Sequence, residues 1–166
     1  MQGARVDKWL RFFRSANPMV RLRAAQALLL RGAEVPLPVL LELLDKLHDR
    51  GLGATITKLL CTRRDPELVA EMIPRLRSPS PSVREAACAV LGELGDWSAT
   101  PHMLAALDDP IPRVRRAAGF GLAFLGDPAC GPAVLWHYAE RVEGTNLRMA
   151  LESALRAVGV EFQRRR

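Results

Sequence analysis

Aromatic side chains are scarce, at 5% of 166 residues, and cysteine is scarcer. The three thiols, Cys61, Cys88 and Cys130, are an odd number at irregular spacing with no CxxC pair, so neither a disulfide framework nor a zinc knuckle organises the chain. Apolar runs extend only a handful of residues, short of the roughly 18 that a membrane-spanning helix needs. Arg5, Asp7, Lys8, Arg11 and Arg14 make the first residues too charged for a secretory apolar segment. These absences predict a soluble, cytoplasmic protein without a membrane span. The phosphate-loop pattern GxxxxGKS/T, the nucleophile elbow GxSxG and the dinucleotide pattern GxGxxG are all missing. His48, His102 and His137 stand far apart, none with a ligand-type partner at metal spacing on one helix face, so no catalytic residue, metal or cofactor is assigned.

What is present is an ordinary globular composition, 49% apolar and 25% charged, which excludes a disordered or collagen-like chain. The net charge of +6 is unevenly placed. Residues 1–31 hold Arg5, Lys8, Arg11, Arg14, Arg21, Arg23 and Arg31 against Asp7, and Arg164, Arg165 and Arg166 end the chain. Of the 24 basic and 18 acidic residues, that leaves 14 basic against 17 acidic between them, a net of −3. The ends are basic; the body is not.

Comparison of the chain with itself finds a repeat of about 31 residues, the size of unit from which solenoids are built. Pro81-Ser82-Val83-Arg84-Glu85-Ala86-Ala87, continuing to Leu94-Gly95-Asp96, recurs as Pro112-Arg113-Val114-Arg115-Arg116-Ala117-Ala118, continuing to Leu125-Gly126-Asp127. Leu147-Arg148 and Ala150-Leu151 begin a later copy; Pro18, Val20-Arg21 and Ala24 begin an earlier one, with a degenerate copy around Leu52, Ile56 and Leu59-Leu60 between them. The copies span 5–32, 36–64, 66–95, 97–126 and 128–159, one domain over 1–160 followed by a basic tail at 161–166.

Each copy carries a helical stripe. Val83, Ala86, Ala87, Val90, Leu91 and Leu94 fall at i, i+3, i+4, i+7, i+8 and i+11, with no competing period of two. Ser82 with Glu85 reads as a capping box, and Gly95 stands where a left-handed C-terminal residue is wanted. Asp65-Pro66 and Asp127-Pro128 start the next element, the aspartate capping free N–H groups beside a proline that needs no donor. Partner helices are predicted over 7–15, 37–47, 67–77, 98–108 and 132–143, with Pro74 kinking the third. Ten helices in five hairpins result.

The repeated VRxAA, LGxLGD and DP turns, with a proline inside a first helix, resemble HEAT repeats, in particular the HEAT-like repeats of phycobilisome lyase subunits. The resemblance covers almost the whole chain and is weakest in the second copy, where Gly53 replaces the arginine. It implies an all-α fold, an α-solenoid formed as a right-handed superhelical stack of about five hairpins, with first helices outside and second helices lining a concave surface. In such repeats an arginine at the start of the second helix bonds an acidic or carbonyl group of a neighbouring turn. Arg21, Arg84, Arg115 and Arg148 are accordingly a structural ladder, with Asp96, Asp109 and Asp127 as available acids, rather than a line of phosphate ligands. HEAT-like deoxyhypusine hydroxylases hold iron through His-Glu pairs, whereas here Asp49, Met103 and Tyr138 follow the histidines. HEAT-like DNA glycosylases put aromatics in the groove, whereas Trp9 and Trp136 fall on first helices and Trp97 in a turn.

Aligned copies predict four lines of concave side chains: Leu22, Ala54, Glu85, Arg116, Met149; Ala25, Thr57, Cys88, Gly119, Glu152; Gln26, Lys58, Ala89, Phe120, Ser153; and Leu29, Cys61, Gly92, Ala123, Arg156. Cations offset from the ladder are few (Lys58, Arg116, Arg156) and opposed by Glu85 and Glu152, too sparse for a phosphate groove. Leu22, Phe120 and Met149, with Gln26 among their polar neighbours, suit a protein or peptide ligand; Leu22 and Phe120 equally suit a core. Lys8, Arg11 and Arg14 form a basic N-terminal face, either the solvated side of an end repeat or a docking face for an acidic partner. The expected function is a non-catalytic scaffold or adaptor. An accessory subunit of a lyase-type complex is the alternative, and nucleic-acid binding through the basic ends the third reading. Oligomeric state stays open.

Overall fold

The computed structural model describes residues 11–12, 15–30, 35–46, 50–63, 65–130, 149 and 156, and divides into two compact units, 1–63 and 64–166. The predicted helices at 7–15 and 132–143, the second helix of the last copy and the tail lie outside the described residues, apart from isolated positions. Among the described residues every regular element is helical.

In the first unit, α1 (Pro18–Leu30) and α2 (Leu37–Asp45) both pack on α3 (Arg50–Cys61). Asn17 starts α1: its side-chain oxygen accepts the Met19 N–H at 2.9 Å, and Pro18 occupies the first turn, where no donor is needed. Ala24, Leu28, Leu40, Leu44, Ile56 and Leu60 are buried at helical spacing and make this unit's core.

The second unit contains α4 (Leu68–Arg75), α5 (Pro81–Leu94), α6 (Thr100–Ala105) and α7 (Pro112–Leu125). One-turn 3-10 segments, Trp97–Ala99 and Ala106–Asp108, flank α6, and another follows α7 at Pro128–Cys130. α4 packs on α5, α6 on α7, and α5 on α7, so the two copies 31 residues apart stack second helix on second helix. The predicted stripe is the buried face: Val83, Ala87, Val90, Leu91, Val114, Ala118 and Leu122.

Three local expectations change. Pro74 is the penultimate residue of α4, which stops at Arg75, short of the predicted 77; Leu76 N and Arg77 N then donate only three residues back, to Ile73 O and Pro74 O. The 98–108 segment is broken into α6 and its 3-10 turns. Finally, Ser82 is not a cap. Pro81 fixes the first helical position of α5, which makes Ser80 the flanking residue (φ −82°, ψ 117°), and its side chain makes no capping bond. Gly95 (φ 71°) and Gly126 (φ 59°) end α5 and α7 in the left-handed conformation expected of them.

The stacking of α5 on α7 depends on two glycines. A Cβ at Gly92 would stand 2.6 Å from Gly121 Cα, and one at Gly121 would stand 2.7 Å from Cys88 O. The backbones therefore approach where neither carries a side chain.

Candidate functional site

The arginine ladder repeats one geometry. Arg21 Nη1 donates to Ser15 O (2.7 Å) and Ala16 O (3.1 Å); Arg84 Nη1 to Ser78 O (2.8 Å) and Pro79 O (3.3 Å); Arg115 Nη1 to Asp109 O (2.7 Å) and Pro110 O (3.2 Å). In each case the acceptors are the carbonyls six and five residues back, in the turn before the helix. A planar fork of donors satisfies two adjacent carbonyls at once. Arg84 adds a bidentate pair with Asp109, Nε to Oδ2 at 2.6 Å and Nη2 to Oδ1 at 3.0 Å. Asp109 also accepts the Ile111 N–H at 2.8 Å. The other two acids have different work: Asp96 caps the turn at Ser98 N (2.9 Å), and Asp127 accepts from Thr100 Oγ1 (2.5 Å). Arg148 lies outside the described residues.

The four expected surface lines separate by burial. Ala25, Cys88 and Gly119 are buried, with Thr57 half-buried, so that line is interior. Gly92 is buried too, with Cys61 and Ala123 half-buried. The reason is the stacking itself, since the Cys88–Gly92 side of α5 is the side that meets Gly121 of α7. The other two lines reach the surface. Ala54, Arg116 and Met149 are exposed beside half-buried Leu22 and Glu85; Gln26, Lys58 and Phe120 are exposed beside half-buried Ala89. Arg156 is exposed, as is Arg11 of the basic N-terminal face; Lys8, Arg14 and Glu152 lie outside the described residues.

A fifth line, not anticipated, is exposed in all four described copies: Leu30, Thr62, Glu93 and Phe124. Phe124 is 68% exposed and Phe120 41%. The outward face of each described second helix is thus a straight i, i+4, i+8 line, such as Leu22–Gln26–Leu30 on α1 or Arg116–Phe120–Phe124 on α7. Side chains four apart stand one above another on a helix. The signal for Phe124 was its position four residues beyond Phe120 and off the core stripe.

In the second unit the structure brings Glu85, Arg116 and Phe120 onto one face. Arg113, which sequence reasoning passed over, completes it: Nε stands 3.2 Å from Glu85 Oε2, an ion pair, and Nη2 donates to Ser82 Oγ at 3.2 Å. Glu85 is thereby half-neutralised within the face. Two large aromatics in a row beside one cation form an apolar anchor with polar surroundings, the composition of a protein-binding surface.

Chemically reactive groups are absent from that face among the described residues. Burial pushes the Cys88 thiol up to about 12, helped by the nearby charges of Asp109 and Glu85, and the Cys130 thiol up to about 11. Both are protonated at neutral pH and poor nucleophiles. No cluster of His, Cys, Asp and Glu among the described residues has metal-site geometry, and no described helix is long and apolar enough to cross a membrane.

Comparison with known proteins follows the same architecture. A family model of HEAT repeats matches residues 69–156. No curated protein matches the sequence. Among solved structures, the chain is similar to the complex of CpcE and CpcF, the phycocyanin lyase from Nostoc sp. PCC7120, with a TM-score of 0.70 and 20% identity over 93% of this chain. It spans 65% of that chain's length. A chain from a study of microtubule plus-end tracking by XMAP215, CLIP-170 and EB1 aligns with a TM-score of 0.65 and 16% identity, covering 98% of this chain and 78% of that one. Human deoxyhypusine hydroxylase in complex with glycerol aligns with a TM-score of 0.60 and 21% identity, covering 92% of this chain and 62% of that one. These likenesses establish the all-α, solenoid class of fold.

Proposed function

Since the chain belongs to the HEAT-repeat family, whose repeats present parallel helix faces in a row, we propose that it is a non-catalytic scaffold or adaptor of the cytoplasm that binds a protein or peptide on the concave face of its second helices. The residues assigned to this role are Leu22, Gln26 and Lys58 in the first unit and Glu85, Arg116, Phe120, Met149, Glu152 and Arg156 in the second; the exposure of Phe124 supports including it with the second set. One observation carries the reading: Phe120 and Phe124 stand exposed in line on α7 beside Arg116, while the ladder arginines are spent on turn carbonyls. A phosphate-binding groove needs several uncommitted cations, and the described ladder supplies none. A preformed helical face loses little conformational entropy on docking.

The test is partner capture from the native host. The Phe120→Asp, Arg116→Glu double variant should lose the partners that the wild type retains, with helicity unchanged by circular dichroism. Retention of the same partners would overturn the assignment of this face. Charge reversal of Lys8, Arg11 and Arg14 tests the basic N-terminal face in the same assay.

The second reading, an accessory subunit of a lyase-type complex, is favoured by the alignment of 93% of this chain with the phycocyanin lyase complex. Co-purification with a second HEAT-repeat chain would support it. Nucleic-acid binding through the basic ends is decided by a retardation assay with salt titration: a logarithmic slope near zero excludes several phosphate contacts.

A further inference from the structure

Resting on the reading of the α5–α7 face as a protein-binding surface, we propose that this face takes a second copy of the chain, docked about a two-fold axis. A two-fold interface needs a patch that complements itself, because any residue i that meets residue j must also be met by i of the other copy. Arg116 is exposed toward the start of α7, and Glu93 is exposed in the last turn of α5. The N-terminal parts of the two helices are joined by the Arg113–Glu85 pair, and their later parts approach at Gly92 and Gly121. They therefore run side by side in the same direction. Arg116 and Glu93 stand at diagonal corners of the patch, one cation and one anion, with Phe120 and Phe124 along its α7 side.

Rotation about an axis lying in the interface exchanges the two corners. Arg116 then faces Glu93 of the partner subunit, and the reverse pair forms at the opposite corner. Phe124, at a third corner of the patch, lies close to the axis and meets its symmetry mate, an aromatic contact flanked by the two charge pairs. The other charges of α5 and α7 do not oppose this. Glu85 is held by Arg113 at 3.2 Å, and Arg115 is turned onto the carbonyls of Asp109 and Pro110. Such a patch has almost no net charge, so it suits neither nucleic acid nor a strongly charged peptide. The outward lines of α1 and α3 lack this property. Leu22, Gln26, Leu30, Ala54, Lys58 and Thr62 include a cation but no anion, so the same rotation would leave Lys58 without a counter-charge.

Sedimentation of the purified full-length chain over micromolar concentrations tests the proposal. The wild type should show a monomer–dimer equilibrium. Arg116→Glu alone and Glu93→Arg alone should each weaken it by about tenfold or more, the scale of placing like charges together in an interface. The double variant R116E/E93R should recover it, because reversing both corners restores the complement. Phe124→Asp should abolish it. All of these side chains are exposed or on the rim, and the charge-swap set decides the matter even if Phe124→Asp impairs folding. A monomeric wild type, a dimer indifferent to the single reversals, or a double variant that fails to recover would each overturn the proposal. A monomeric wild type that still captures host proteins through Phe120 would overturn self-pairing alone; loss of both would overturn the underlying reading as well.

Discussion

At the scale of single residues, the ladder shows what one side chain does when it recurs at one position. Arg84 and Asp109 are almost enclosed, with side chains 12% and 7% exposed, and they join a helix start to the turn one repeat on. Desolvation would raise the Asp109 carboxyl, but the hydrogen bonds from Arg84, the Ile111 N–H and the charges of Arg84 and Arg115 together hold it below the usual carboxylate range. A carboxyl lowered in the folded state contributes its full stability above its unfolded value of about 4, and that contribution is lost as pH falls through the folded-state value. Asp109→Asn should therefore cost about 1.5–3 kcal/mol near neutral pH, the worth of hydrogen bonds to a charged group. The gap from wild type should begin to narrow below about pH 4 and close only below the folded-state value, as urea midpoints measured across pH would show. The thiols give a second prediction. Cys88 and Cys130, raised to about 12 and about 11 by burial, should react with a disulfide reagent only on unfolding, and half-buried Cys61 should react first. The ladder was legible because a recurring VR or LR step, with its arginine at one repeat position, is a strong repeat signal. Its acceptors were legible in kind, as turn carbonyls and an acid such as Asp109, but which carbonyls they are was not, since a backbone carbonyl six residues back leaves no mark on residue type.

Elements carry a different kind of information. The helical stripe and the left-handed glycines Gly95 and Gly126 were readable because period and φ constrain residue choice strongly. The capping box was misread because Ser82 and Glu85 match its spacing, yet Pro81 sets the helix start two residues earlier and frees Glu85 to pair with Arg113. The division of the outward lines was hidden for a related reason. Cys88 and Gly92 sit off the core stripe of α5 and look like surface positions until a second helix is stacked on them. That stacking is testable. Gly92→Ala gains about 1 kcal/mol of helix propensity but puts a methyl 2.6 Å from Gly121 Cα, where only backbone is available to move. Overpacking costs typically about 1–3 kcal/mol, and a backbone contact belongs at the upper end, so the variant should be destabilised by about 1–2 kcal/mol. Gly95→Ala meets nothing within 4 Å, so any loss there comes only from φ 71°. It should cost about 1 kcal/mol, the left-handed penalty, and leave α5 against α7 undisturbed. Thermal melts of the two variants, with near-ultraviolet spectra reporting packing, separate the mechanisms.

For the whole molecule, the governing fact is that each hairpin is too small to cover its own apolar stripe and depends on its neighbour. Stability in such an array is a sum of repeat terms and nearest-neighbour terms. The chain here divides at residues 63 and 64, with a degenerate second copy on one side and the two most regular copies on the other. Arg63 closes the first unit upon itself by donating to Val35 O, and in the second unit Trp97 Nε1 donates to Leu125 O at 3.1 Å. A lesion at the α5–α7 crossing should therefore stay local. In Gly92→Ala, amide protection against hydrogen exchange should fall across residues 81–94 and 112–125, which share the crossing, and stay within about twofold of wild type over 18–30 and 50–61. Loss of protection spread evenly over both units would mean that the chain unfolds as one cooperative block. Nearest-neighbour coupling would then be too weak a description, and the face of α5 and α7 could not be altered without disturbing the outward lines of α1 and α3. A confined loss would show the opposite: the second unit carries its outward face on a scaffold whose stability is its own, which is the condition for tuning Arg116, Phe120 and Phe124 by mutation without changing the remainder of the fold.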